Sequence, residues 1–228
     1  FENSNTASGL TSVFDYTFSS NPVSNHNVAF LSMQNKQPEY QSWNEALAFD
    51  GIGDYAAVPQ AAGINVQGTF TAEAWVYLKA YNPGFNQIIL DKRNSNSGYS
   101  LSINNSKRLA VVINSTGTAA SGGDFPLNRW VHVAVAQGSS GLARIYIDGK
   151  LAGSHTYPAV ISNTDSLFIG GKSFQEGFNG YIDEVRITDY EKTAEQINNY
   201  RFSSVNSAND PTPGQSDVSF NFDGKTQG

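Results

Sequence analysis

The chain has no cysteine, one methionine and few charges, and each shortage excludes something. Without cysteine there is no disulfide and no thiolate zinc site, and the redox compartment is left open. Charged residues make up 15% of 228 positions, so 26 Ser and 23 Asn outnumber the 20 acidic and 14 basic residues combined. A net charge of −6 with scattered Lys and Arg argues against a nucleic-acid partner and against an anionic membrane surface, because both need clustered cations. No run of 18 apolar residues is present, so membrane insertion is not expected. The opening "FENSNTASGL" lacks the charged and apolar segments of a signal peptide and does not begin with Met, which reads as a processed or excised piece of a longer polypeptide. The Asn, Ser, Thr, Gly and Tyr richness is common in secreted bacterial proteins and points to an extracellular or cell-surface location.

Catalytic signatures are missing as well. The sequence has no Gly-x-Ser-x-Gly elbow, no phosphate-cradling glycine loop and no Glu-x-Asp-x-x-Glu of the kind retaining glucanases carry on a strand. Its three histidines, His26, His132 and His155, are isolated and make no zinc motif. An enzyme is not expected, and His132 and His155 read as structural.

What is present is a series of short β-prone runs. In "TFTAEAWVYLKA" (69–80) Phe70, Ala72, Ala74, Val76 and Leu78 fall on one face, and Thr71, Glu73, Trp75, Tyr77 and Lys79 on the other. Further strands are predicted at 87–93, 99–104, 108–114, 129–137, 143–150, 166–171 and 180–188, separated by turn signals such as Ser121-Gly122-Gly123 and Asp148-Gly149. Trp75 and Trp130 lie inside these alternating runs and read as packed residues. No long amphipathic helix separates the strands, so the fold class is all-β: an antiparallel two-sheet sandwich. One short helix is expected at 193–202, opened by a capping box at Thr193 and Gln196.

The domain is expected to run over 1–202, with linker composition at 203–216 and a fresh strand within 217–228. "FDGKTQG" (222–228) echoes "FENSNTASG" (1–9), which suggests a piece cut from tandem repeats. On that reading the last strand completes this sandwich; on the alternative it begins the following repeat.

Four segments, "ALAFDGIGDYAAVP" (46–59), "FTAEAWVYL" (70–78), "LNRWVHVAVAQ" with "ARIYIDGKLAG" (127–153), and "LFIGG" with "FNGYIDEVRIT" (167–188), resemble in order and spacing the LamG-like jelly-roll domains of the concanavalin A-like lectin and glucanase superfamily. The resemblance implies two facing curved sheets and, often, one structural calcium. It makes Asp183, in "IDEV", the first ligand candidate. Strict alternation would place Tyr181, Asp183 and Val185 on one face and Ile182, Glu184 and Arg186 on the other. Calcium takes six to eight oxygens, and Asp50, the Gly53 backbone and Asp223 are the expected partners of Asp183, since Gly51 and Gly53 let the loop turn tightly. The bland reading makes Asp50-Gly51 a turn, Asp54 a solvated acid and Asp183 a partner of Arg186 or of an amide.

Noncatalytic sandwiches of this type often bind glycans through exposed aromatics. Trp43, Tyr81, Phe85, Phe174 and Phe178 are the candidates, Trp43 being either a lid or a platform. The expected function is a carbohydrate-binding or adhesion module; the alternatives are a structural or protein-binding repeat and a glycan-active domain with an unrecognised site.

Overall fold

In "FTAEAWVYL" the period of two decides the local structure, because apolar side chains on alternate positions, Phe70, Ala72, Ala74, Val76 and Leu78, bury one face against a partner layer. A computed structural model of the chain describes residues 45–201 and four further short strands, at 15–16, 24–26, 29–32 and 217–221. The strands in chain order are β1 (Asp15–Tyr16), β2 (Ser24–His26), β3 (Ala29–Ser32), β4 (Glu45–Asp50), β5 (Tyr55–Val58), β6 (Phe70–Leu78), β7 (Gln87–Asp91) and β8 (Tyr99–Ile103). They continue with β9 (Leu109–Ile113), β10 (Thr116–Ala120), β11 (Trp130–Gln137), β12 (Leu142–Ile147), β13 (Lys150–Thr156), β14 (Leu167–Ile169), β15 (Asn179–Thr188) and β16 (Asp217–Asn221). A helix, α1 (Ala194–Tyr200), lies between β15 and β16.

Two antiparallel sheets form the sandwich. One runs β1-β16-β15-β6-β11-β12-β13, with β4 added to β15 and β3 to β4; the other runs β10-β9-β8-β7-β14-β5-β2. Between them lie the inward residues of both sheets, among them Phe70, Val76, Leu78, Tyr99, Leu101, Val111, Val133, Ile169 and Ile182, all at most 1% exposed. Phe70 and Tyr99 meet across the layers with ring centroids 4.9 Å apart.

β15 organises the first sheet. One edge pairs with β6; the other takes β4 at residues 179–182 and β16 at residues 185–188. Between those halves the ladder to β6 slips between Asp183 and Arg186, and Glu184 takes φ +51°. This is a bulge, which leaves one extra residue unopposed. Strict alternation therefore fails here. Val185 turns into the core with Ile182 and Ile187, while Arg186 joins the outer face beside Glu73. The capping box forms as expected: Thr193 Oγ1 accepts from Gln196 N, and Gln196 Oε1 accepts from Thr193 N.

Candidate functional site at the loop rim

Three connections meet at one end of the sandwich: residues 51–54 after β4, 79–86 after β6, and 170–178 before β15. Asn179 stands opposite Asp50 in the β15–β4 register, which brings the first and third together. Gly51 and Gly53 turn the first loop at φ +92° and +74°. A Cβ on Gly53 would lie 3.3 Å from the Phe174 ring, and one on Gly177 would lie 2.6 Å from the Gly51 carbonyl oxygen. The second loop is tied in by Asn82 Nδ2, which donates to Gln175 O at 3.2 Å, and the start of β7 just after it by Ile88 N, which donates to Glu176 O at 3.1 Å.

Folding thus collects at this rim an exposed apolar set, Ile52 (58%), Phe174 (73%) and Phe85 (41%), among Asn82, Gln175, Glu176 and Asp50. Of the aromatic candidates, Phe85 and Phe174 stand in solvent there. Tyr81 is half-buried, its hydroxyl donating to Phe125 O and the Lys107 ammonium 5.4 Å from its ring. Phe178 requires a correction. It is fully buried between the sheets, because the bend after Gly177 turns it inward as Phe178 N donates to Gly170 O. Trp43 lies outside the described residues, as does Asp223.

The β4–β5 loop carries the acid chemistry of the rim. Asp50 is exposed and its Oδ1 accepts from Ile52 N at 2.7 Å, while Asp54 Oδ2 accepts from Asp50 N at 3.1 Å. Asp54 is 5% exposed, not the solvated acid of the plain-turn reading. Burial, with the Asp50 carboxylate adding to it, pushes Asp54 up to about 6. A buried acid beside a second acid is held back from ionising unless a positive charge is near.

Asp183 does not join them. It lies four residues along β15 from the residue opposite Asp50, about 13 Å at the strand rise, whereas calcium ligands stand about 2.3–2.6 Å from the ion. Instead it is buried in the bulge, with Oδ1 accepting from Glu184 N at 2.8 Å. Asp50 and Asp183 therefore cannot share one ion. Among the described residues no group of three or more His, Asp or Glu is placed to hold a metal.

A feature the sequence reading missed lies on the outer face of the first sheet. Glu73 of β6 is 2% exposed and receives the ammonium of Lys192, with Arg186 Nη1 at 3.7 Å and His132 Nε2 at 3.6 Å. Burial opposes ionisation of Glu73, but Lys192 foremost and then Arg186 outweigh it and hold the acid at about 2. His132 is driven down to about 4 by burial, with Glu73 opposing. Trp75 and Trp130 are buried as expected, though on this outer face and not between the sheets. The only sequence signal was an acid in phase with Trp75 and Tyr77.

A family model described as the concanavalin A-like lectin/glucanases superfamily matches residues 50–198. Among solved structures, domain 4 of AbnA, a GH43 extracellular arabinanase from Geobacillus stearothermophilus in complex with arabinotriose, is 18% identical with a TM-score of 0.60. The match covers 78% of this chain and 87% of that one. A putative carbohydrate binding protein from Bacteroides ovatus is 20% identical with a TM-score of 0.62, covering 80% of this chain and 54% of that one. Trypanosoma rangeli sialidase in complex with 2,3-difluorosialic acid is 18% identical with a TM-score of 0.56, covering 79% of this chain but 29% of that one. This chain thus spans about half of the second protein and under a third of the third. No curated protein matches. At these identities the likeness shows the fold alone. Among the described residues no helix is long and apolar enough to cross a membrane.

Proposed function

Since the chain belongs to the concanavalin A-like lectin/glucanase superfamily, we propose that it is a noncatalytic carbohydrate-binding or adhesion module of a secreted or cell-surface protein. The observation that carries this reading is the convergence of the three rim loops, which sets Phe174 and Phe85 in solvent beside Asn82, Gln175 and Glu176. Aromatic faces stack on the C–H faces of sugars, and amide and carboxylate side chains pair with hydroxyls. Complexes with arabinotriose and sialic-acid analogues among the similar structures fit a glycan ligand.

A structural calcium belongs to this proposal at the β4–β5 loop, held by Asp50, Asp54 and the Gly53 carbonyl. The raised Asp54 and its like-charged neighbour fit a hard cation, while Asp183 is committed to the bulge. Bound there, calcium would neutralise both acids and fix the loop against Phe174.

The test is a glycan array on the calcium-loaded protein, followed by calorimetry on the best ligand. Phe174→Ala and Phe85→Ala are each expected to weaken binding by about tenfold or more. If no plant, algal or host glycan binds and both variants behave as wild type, the rival reading prevails: a structural spacer or protein-binding repeat. The Ser/Asn-rich composition of 203–216 favours that rival.

A further inference from the structure

On the outer face of the seven-stranded sheet, Phe168 of β14 stands directly opposite Asp91 of β7, and Asp91 opposite Ser100 of β8. These three point away from the core, whose members on the same strands are Leu167, Ile169, Leu90 and Leu101. A fully buried carboxylate on an outward face needs partners, and Asp91 has two cations. Arg93 binds it from the side: Nε donates to Oδ2 at 2.9 Å, Nη2 donates to the same oxygen, and Arg93 N donates to Oδ1 at 2.8 Å. Lys172 stretches from the rim loop past Phe168, its ammonium 5.6 Å from the ring, and donates to Asp91 Oδ1 at 3.0 Å and to Arg93 O.

Two cations on one carboxylate leave one positive charge in a protein whose net charge is −6. The arginine geometry gives that charge a shape. Asp91 uses the Nε/Nη2 edge of the guanidinium, so the Nη1/Nη2 end, on a side chain 25% exposed, is the edge left for a second planar anion. That edge is held in place before any ligand arrives, which lowers the entropy cost of binding. Across the ladder from Asp91 is an aromatic wall: Phe168 is partly exposed and braced edge-on by Tyr55, centroids 5.5 Å apart.

We propose that this face is a second saccharide site, selective for a carboxylated sugar whose carboxylate pairs end-on with Arg93 while its ring lies against Phe168. The inference rests on reading the chain as a saccharide-binding module. It differs from the rim, where Asp50, Asp54 and Glu176 suit neutral sugars or a cation.

The probes are trigalacturonate and 3′-sialyllactose, with galactotriose and lactose as neutral counterparts, measured by calorimetry at low and high salt. At least one acidic probe is expected to bind about tenfold or more tighter than its counterpart, with the advantage lost at high ionic strength. Which of the two binds tells a uronate from a sialate. Arg93→Lys keeps a cation beside Asp91 but removes the fork, and Phe168→Leu keeps apolar bulk but removes the ring. Each is expected to weaken the acidic probe about tenfold with any neutral-sugar binding unchanged. If neutral sugars bind with Phe174-dependent affinity while acidic probes bind no tighter, this inference falls and the rim reading stands. It falls also if Arg93→Lys binds the acidic probe as wild type does. If no saccharide binds, both fall.

Discussion

Lys192, carried past the end of β15, places its ammonium on the carboxylate of Glu73 on β6, 119 residues away, with neither residue more than 5% exposed. Removing one member of a buried ion pair leaves the other desolvated without compensation. Glu73→Gln and Lys192→Met are each expected to cost about 3–5 kcal/mol in urea denaturation. The double variant should cost clearly less than the two together, because neither member of the pair is left charged without the other. Strict additivity would mean that the two groups do not act as a pair.

Acid sensitivity follows from the same cluster. The folded state holds His132 near 4, below its ordinary 6.5, so as pH falls from 6.5 to 4 the unfolded chain takes up a proton that the folded chain refuses, and stability falls. Glu73, held near 2 in the fold, adds a loss as pH drops below its ordinary 4.5. Asp54, raised to about 6, acts oppositely between 6 and its ordinary 3.8. His132→Gln isolates the histidine. The stability advantage of wild type over this variant should shrink by about 3 kcal/mol between pH 7 and pH 4. A pH-independent difference would contradict the assignment.

For the rim loop, calcium is expected to raise the melting temperature of wild type, since a ligand bound only by the folded state stabilises it. Asp50→Asn and Asp54→Asn should abolish that response. Asp183→Asn should lower stability by about 1–3 kcal/mol through the bulge yet leave the calcium response intact. Loss of the response in Asp183→Asn would overturn the separation of the two acids by the β15–β4 register.

At the opposite end of β7, Lys92 is 1% exposed and its ammonium donates to Asn163 O at 3.0 Å, Asn163 Oδ1 at 3.2 Å and Asp165 O at 2.7 Å. In return Asn163 Nδ2 donates to Lys92 O at 2.8 Å. Lys92→Met should cost about 2–3 kcal/mol by leaving those oxygens undonated. It should also speed amide exchange at Gly98, whose N–H donates to Ile161 O in the same loop. Unchanged denaturation and exchange would show that the ammonium contributes nothing to the loop's hold.

Where period and capping carry the information, the sequence was enough. β6, β11 and α1 stand where alternation and the Thr193–Gln196 box put them, because those signals are local. β13 was missed, since "KLAGSHT" lies at the edge of its sheet, largely exposed and without an apolar rhythm. The bulge at Glu184 inverted half of β15, because an inserted residue leaves no trace in a period-two pattern. The resemblance set Asp50 beside Asp183 as calcium ligands, but only the register fixes how far apart two strands set their residues. The meeting of the 79–86 and 170–178 loops was likewise invisible, resting on Asn82–Gln175 and Ile88–Glu176 contacts between residues some ninety positions apart.

β16 lies between β15 and β1, and Asp15 stands across from Asn221 in an antiparallel pair. Tension entering the chain ahead of Asp15 and leaving it beyond Asn221 would pull on the same end of that pair. Antiparallel rungs loaded from one end open in succession, not all at once. Stretched between its flanking segments, the sandwich would peel from this seam while the layers bearing both candidate sugar sites stayed closed.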